Sequence, residues 1–291
     1  MLIGALEAGG TKMVCAIGDE CGNIMEKVIF PTKSPEETIP DMISFFQKHM
    51  VEALGIGCFG PLNLNRRSES YGMITSTPKL AWQNYSIRNA FQDALHIPVA
   101  LDTDVNVAAL GEATWGAGVG DEVVLYITIG TGVGVGVCIH NQLLHGLIHP
   151  EAGHILLTKR EDDTFKGVCP FHKNCMEGLV SGPAIKGRWG KRAEELADEE
   201  FVWEMEADYI AQAVANYVLV YSPNRIILGG GVMHQKGLLP MIHEKVNTYL
   251  NGYIVHPILE QRISEYIVLP GLGDDAGIKG ALKLAIDSAL D

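Results

Sequence analysis

Cys169, His172 and Cys175 stand at C-x-x-H-x-x-C spacing, close enough for three side chains to turn toward one cation. His154 lies upstream as a further borderline ligand and completes the coordination number that structural zinc takes. Pro170 bends the loop between the ligands. An ordinary surface loop does not need three such groups in seven residues, so zinc is the expectation. Its task would be to pin a loop that lacks regular structure, without doing chemistry itself. The neighbours it would hold are Glu151, His154 and Glu177, polar groups flanked by glycines, as recognition of a hydroxyl-rich ligand requires. Carboxylates suit that work because each accepts from several hydroxyls at once. His154 can serve both centres through its two ring nitrogens.

Phosphate chemistry is written elsewhere in the chain. Gly9-Gly10-Thr11-Lys12 is a glycine turn between two apolar runs; main-chain N–H groups there can approach an anion, and Thr11 and Lys12 add a hydroxyl and a charge. Gly130-Thr131-Gly132-Val133-Gly134 repeats the pattern. It matches neither a Walker spacing nor a dinucleotide fingerprint, because no helix follows it. A clamp of two hairpins fits better. Gly229-Gly230-Gly231 closes another buried run, where missing side chains let a phosphate or a flat group lie against the backbone.

A candidate base sits in Asp102-Thr103-Asp104. A carboxylate where a buried strand meets a helix N-terminus lies at the carboxyl edge of a sheet, where α/β enzymes place their sites. Capping is the ordinary role of such residues, but two aspartates around one threonine exceed what a cap needs. By contrast, Thr75-Ser76-Thr77-Pro78-Lys79-Leu80 with Trp82 reads as an ordinary surface turn.

The frame for these groups follows from the apolar pattern. Strands are expected near residues 2–6, 13–17, 24–30, 54–58, 98–101, 123–129, 135–139 and 225–228, and around Ile267. Helices are expected over 35–53, from Ser86 to Leu95, over 107–112, from Ser181 to about Gly190, over 203–221 and 238–250, and at the C-terminus. The repeated strand, glycine turn and strand predict a duplicated architecture. The expected division is 1–115, completed by a C-terminal helix over 275–291, and 116–274 with the zinc loop, the two meeting at a cleft.

With 291 residues and 47% hydrophobic content, the chain suits two domains or one large α/β unit. A net charge of −13 argues against nucleic acid and anionic membrane as partners, since both need basic surface. The opening M-L-I-G-A-L-E-A-G-G has no basic start and no long apolar core, so no secretory signal is expected. The apolar run at 123–129 is far short of a membrane span. Six cysteines are scattered, with Cys15, Cys58 and Cys138 in apolar stretches as buried thiols would be. A reduced, cytoplasmic protein is the expectation.

Taken together, and in this order along the whole chain, the motifs resemble those of the ROK sugar kinases. His149-Pro150-Glu151 and Cys169-Pro170-Phe171-His172 are similar to the bacterial fructokinase branch. The resemblance implies a two-domain actin-like ATPase fold, α/β in both halves, with a mixed sheet in each and a central cleft for sugar and ATP. It implies Asp104 as general base, and Thr103, Glu151, His154 and Glu177 as sugar contacts. Gly9, Gly10, Thr11, Lys12, Gly130, Thr131, Gly132, Gly134, Gly182, Pro183, Gly229, Gly230 and Gly231 would hold ATP and its phosphates. Mg²⁺ would travel with the nucleotide, Zn²⁺ would sit on His154, Cys169, His172 and Cys175, and the assembly would be a homodimer. Two positions depart from the pattern: Glu7 stands where Asp is commoner, and Thr103 where the family has a sugar-binding Asn. The expected activity is phosphorylation of D-fructose to fructose 6-phosphate. The alternatives are a ROK hexokinase preferring mannose or glucose, and a non-catalytic sugar-sensing regulator. The regulators of the family carry a helix-turn-helix before the first hairpin, and this acidic chain starts at the hairpin.

Overall fold

The computed structural model describes residues 1–77 and 79–290; Pro78 of the polar turn and Asp291 of the expected last helix lie outside them. In chain order the first half runs β1 (Ile3–Ala8), β2 (Lys12–Gly18), β3 (Ile24–Pro31), α1 (Pro35–His49), β4 (Ala53–Cys58), α2 (Ile87–Leu95), β5 (Val99–Thr103) and α3 (Asp104–Trp115). The second runs β6 (Val123–Ile129), β7 (Val133–Ile139), β8 (Gln142–Leu143), α4 (Met176–Val180), α5 (Gly182–Trp189), α6 (Glu200–Tyr221), β9 (Arg225–Gly229), α7 (Leu238–Leu250), α8 (Pro257–Gln261), α9 (Ile263–Tyr266), β10 (Ile267–Val268) and α10 (Ala276–Leu290).

Two sheets form, in the orders β3-β2-β1-β4-β5 and β10-β9-β6-β7-β8. Read from its other end, the second repeats the first strand for strand. In the first, β1 pairs antiparallel with β2 and parallel with β4, and β4 pairs parallel with β5. In the second, β6 pairs parallel with β9 and β9 with β10. The duplication predicted from the glycine turns is therefore present in the sheet topology, and both sheets are mixed.

The chain divides into two compact units: Met1–Gly120 with Gly136–Pro150 and Asp274–Asp291, and Asp121–Val135 with Glu151–Gly273. In the first, one face of the sheet packs Leu6, Met13 and Ile56 against Phe46 of α1, Phe91 of α2 and Trp82. The other face packs Ile3, Ala5 and Ala53 against Ile278, Ala281, Leu282 and Ala285 of α10. That helix comes in very close: a Cβ on Gly55 would lie 1.8 Å from the Ala281 carbonyl oxygen, and one on Gly280 1.6 Å from that of Val107. No side chain fits at either place.

Two boundaries differ from expectation for local reasons. Strand β5 runs on to Thr103, and α3 starts at Asp104 rather than at 107, because the Thr103 hydroxyl accepts from the Asn106 N–H at 3.2 Å and caps the helix. Helix α1 stops at His49, since Met50 takes the left-handed conformation that ends helices.

The second unit is built around α6, buried along much of its length through Trp203, Tyr209, Ile210, Val214 and Tyr217. Arg188 of α5 donates to Glu206 of α6 at 2.6 Å and to the Leu179 carbonyl at 2.9 Å, and pairs with Asp163 at 3.3 Å. This buried network fastens α5 and the loop before the cysteines to one rigid helix. Among the described residues, no helix is long and apolar enough to cross a membrane.

Candidate functional site

In the first unit, the turn between β1 and β2 closes with the Gly9 N–H donating to the Lys12 carbonyl at 3.0 Å. Thr32, just beyond β3, braces it. The Thr32 hydroxyl donates to the Gly9 carbonyl at 2.8 Å, and its N–H donates to the Thr11 carbonyl at 3.1 Å. Thr11 and Lys12 are left exposed.

Asp104 opens α3 at the carboxyl end of β5, and its Oδ1 accepts from the Val105 N–H at 2.9 Å. Asp102 has a different place. It is buried, its Oδ1 accepts from the Thr103 N–H at 2.8 Å and from the Asn106 side-chain amide at 2.7 Å, and its Oδ2 meets His145 Nε2 at 2.8 Å. The hydrogen bond to Asp102 raises the His145 pKa. Asp102 therefore holds the turn into α3, while Asp104 is the carboxylate at its tip. His145 carried no signal in the sequence; its partner is remote, and only the fold joins them.

Glu7 lies on β1, near Asp104 and Lys12. Burial pushes its pKa up to about 7, the Asp104 charge adds to that rise, and Lys12 opposes it. A Cβ on Gly277 of α10 would stand 2.8 Å from the Glu7 carboxyl carbon, so that glycine leaves room for the acid. An acid whose folded pKa is raised binds its proton more tightly when folded, so its contribution to stability declines as pH rises from the ordinary 4.5 through about 7. Denaturant unfolding across this range in magnesium-free buffer is expected to show that decline, and Glu7→Gln is expected to flatten it. A curve unchanged by the substitution would refute the assignment.

In the second unit, the turn between β6 and β7 closes with the Gly130 N–H donating to the Gly132 carbonyl at 2.9 Å. The Gly130 carbonyl accepts from Gly182 N–H at 2.7 Å, which sets the start of α5, with Pro183 in its first turn, against the hairpin. Glu177 of α4 also reaches it: Oε2 accepts from Val133 N–H at 3.1 Å. Thr131 is exposed, and Gly134 lies within β7. In the glycine run that begins at the end of β9, Gly229 and Gly230 are required by packing. A Cβ there would lie 2.4 Å from the Tyr126 hydroxyl or 2.5 Å from the Ile129 carbonyl oxygen, and Gly230 has φ +87°. Gly231 faces open space, so it alone of the three leaves the approach to a ligand clear.

His154, Cys169, His172 and Cys175 come together, with one ligand atom from each all within 4.8 Å of one another. His154 Nδ1 lies 3.5 Å from Cys175 Sγ and 3.8 Å from Cys169 Sγ, and His172 Nδ1 lies 3.8 Å from Cys169 Sγ. Ligands on a tetrahedral zinc with bonds of about 2.0–2.3 Å stand roughly 3.3–3.8 Å apart, so the donor set and these three spacings fit zinc. With Nδ1 turned to the sulfurs, Nε2 of His154 remains on the far side of the ring. Cys175 also caps α4, the helix that carries Glu177. Glu151 is exposed, and its carbonyl accepts from His154 N–H at 3.0 Å.

Residues 3–288 match the family model described as ROK family. A fructokinase from Pediococcus pentosaceus is 45% identical, over 98% of this chain and 98% of its own. A fructokinase from Zymomonas mobilis is 42% identical, over 98% of this chain and 96% of its own. Among solved structures, a ROK family glucokinase from Streptomyces griseus, crystallised with glucose and AMPPNP, superposes with a TM-score of 0.75. It is 25% identical, over 99% of this chain and 100% of that one.

Proposed function

This chain belongs to the ROK family, and from that premise we propose that it is an ATP-dependent fructokinase forming fructose 6-phosphate. The observation that carries the reading is the likeness to two fructokinases along nearly the whole of all three chains. The local chemistry supports it. In this reading Asp104 is the base, the two glycine hairpins hold phosphate, and Glu151, His154 and Glu177 contact the sugar.

Asp104 takes the proton as the sugar 6-hydroxyl attacks the γ-phosphorus of ATP; the new P–O bond forms while the bond to the bridging oxygen breaks and ADP leaves. Main-chain N–H groups of both hairpins, with Thr11, Lys12 and Thr131, hold the phosphates, helped by Gly182 and Pro183 at the start of α5. Gly231 leaves space for the nucleotide. Magnesium brought with ATP would neutralise charge on the phosphates, and Glu7 is the oxygen donor that would hold it, directly or through water. Zinc on His154, Cys169, His172 and Cys175 would order the loop, and so fix Glu177 against the second hairpin. None of the six cysteines is paired in a disulfide, in keeping with a reducing cytoplasm. We take a homodimer as the working assembly.

Fructose is expected to be preferred over glucose. Thr103 offers one hydroxyl on a short, β-branched side chain, where the family's Asn offers both an amide donor and a carbonyl acceptor. The Thr103 oxygen already accepts from Asn106, which leaves its O–H to donate. A glucose hydroxyl that loses a partner in a closed site costs about 1–3 kcal/mol, or roughly ten- to a hundred-fold in specificity. Pro150 also stiffens the backbone before Glu151. An ADP-release assay over a panel of hexoses, with wild type and Thr103→Asn at equal ATP, checks this through kcat/KM. Asn caps helices as well as Thr does, so the variant keeps the cap of α3, and its thermal midpoint reports whether the buried site accepts it. Better use of glucose than of fructose by the wild type would sink the reading. A fructose preference indifferent to Thr103→Asn would keep the function and discard the part given to Thr103.

A further inference from the structure

The described residues of the polar turn, 75–77 and 79–82, dock on the first phosphate hairpin. Trp82 is 1% exposed and stacks edge-on against Phe59 and Tyr85 at 5.9 and 5.6 Å. Its ring N–H donates to the Lys33 carbonyl at 2.7 Å. Lys33 follows Thr32, the residue whose hydroxyl and N–H hold the carbonyls of Gly9 and Thr11. The near end of the turn is anchored as well: the Thr75 N–H and hydroxyl both donate to the Pro61 carbonyl, at 2.8 and 3.0 Å. Thr77 is buried, and its hydroxyl accepts from Lys79 N–H at 3.3 Å. Between these anchors Lys79 stretches across Gly10. Its Cε lies 3.0 Å, and its Nζ 3.8 Å, from where a Cβ on Gly10 would stand.

We propose that Lys79 is a phosphate-binding residue of the kinase reaction, its ammonium lying over the first glycine hairpin to hold the phosphates of ATP; this rests on the phosphoryl-transfer reading above. The electrostatics call for such a group. The chain carries a net charge of −13, and Glu7 and Asp104 act on one another beside the same hairpin. A polyanion brought there meets two carboxylates, and Lys12 is the hairpin's own cation. A second ammonium on a flexible stem supplies three donors that can follow the phosphoryl group as it moves. Glycine at position 10 leaves the stem room to lie low: a Cβ there would meet the Lys79 Cε at 3.0 Å and press it outward.

The test uses the full chain with Lys79→Met and Lys79→Arg. With fructose and ATP in magnesium buffer, Lys79→Met is expected to lower kcat/KM for ATP by about 10²-fold, with KM for fructose changed by less than about 3-fold and the thermal midpoint unmoved. Lys79→Arg, which keeps the charge, is expected to recover about ten-fold of that loss. Calorimetric titration with ADP, without sugar, should show the matching loss of affinity in Lys79→Met. If the wild type phosphorylates fructose but Lys79→Met keeps kcat/KM for ATP within about 3-fold, or if Met and Arg lose equally, Lys79 has no such role. If the wild type phosphorylates no hexose, the kinase reading fails by itself. The ADP titration then still decides Lys79, and an affinity unchanged in Lys79→Met would overturn it.

Discussion

Replacing Asp104 with Asn is expected to lower turnover by about 10²–10⁴-fold, with little change in fructose binding. The substitution is close to isosteric, and an Asn side-chain oxygen can still accept from the Val105 N–H that Asp104 Oδ1 takes at 2.9 Å. What it loses is the ability to receive a proton as the hydroxyl attacks. The same change at Asp102 should act differently. That carboxylate is buried under three donors from Thr103, Asn106 and His145, so its loss should register in stability more than in turnover. Steady-state kinetics and thermal unfolding of both variants separate the two roles. An Asp104→Asn enzyme with more than about a tenth of wild-type turnover would end the assignment of the base.

The second large effect concerns the four clustered ligands. Structural zinc contributes on the order of 10 kcal/mol where it folds a whole small domain. Here it would order one loop, so strong chelation or His172→Ala should lower the thermal midpoint by about 5–10 °C. Fructose KM should rise in parallel, because Glu177 and the start of α4 are tied to Cys175. The metal itself is countable: elemental analysis of protein prepared without chelator should find one zinc per chain. Its stoichiometric absence would remove the centre, and with it the explanation of any KM change.

What was legible in the sequence is what is local. Gly9-Gly10-Thr11-Lys12 and Gly130-Thr131-Gly132 each turn one strand into the next, and the spacing alone shows that. The C-x-x-H-x-x-C run converges because its members are neighbours, and His154 joins them through the pairing of Leu156 with Cys175. What stayed hidden depends on remote partners. Lys79 read as part of a plain turn, because nothing in the sequence says that Trp82 will bond to Lys33 and lay the turn on Gly10. His145 is silent until the fold brings Asp102 to it. Glu177 was legible as a carboxylate for hydroxyls, yet one of its oxygens is occupied by the second hairpin. In Gly229-Gly230-Gly231 the pattern suggested ligand approach throughout, while two of the three are spent on packing against β6.

Helix α10 has a consequence for how the protein is made. It covers the face of the first sheet formed by Ile3, Ala5 and Ala53, and its own backbone replaces side chains at Gly55. Yet it follows the second unit in the chain. A ribosome therefore releases the start of the first unit with an apolar face uncovered, and must translate residues 121–273 before the piece that covers it emerges. At about 5–20 residues per second, that interval is roughly 8–30 s. Until then the pocket for the Glu7 carboxylate, bounded by Gly277, is incomplete. The nascent chain thus carries an exposed surface for chaperones to find, and a product that stops before α10 lacks the wall that Gly277 gives the Glu7 carboxylate.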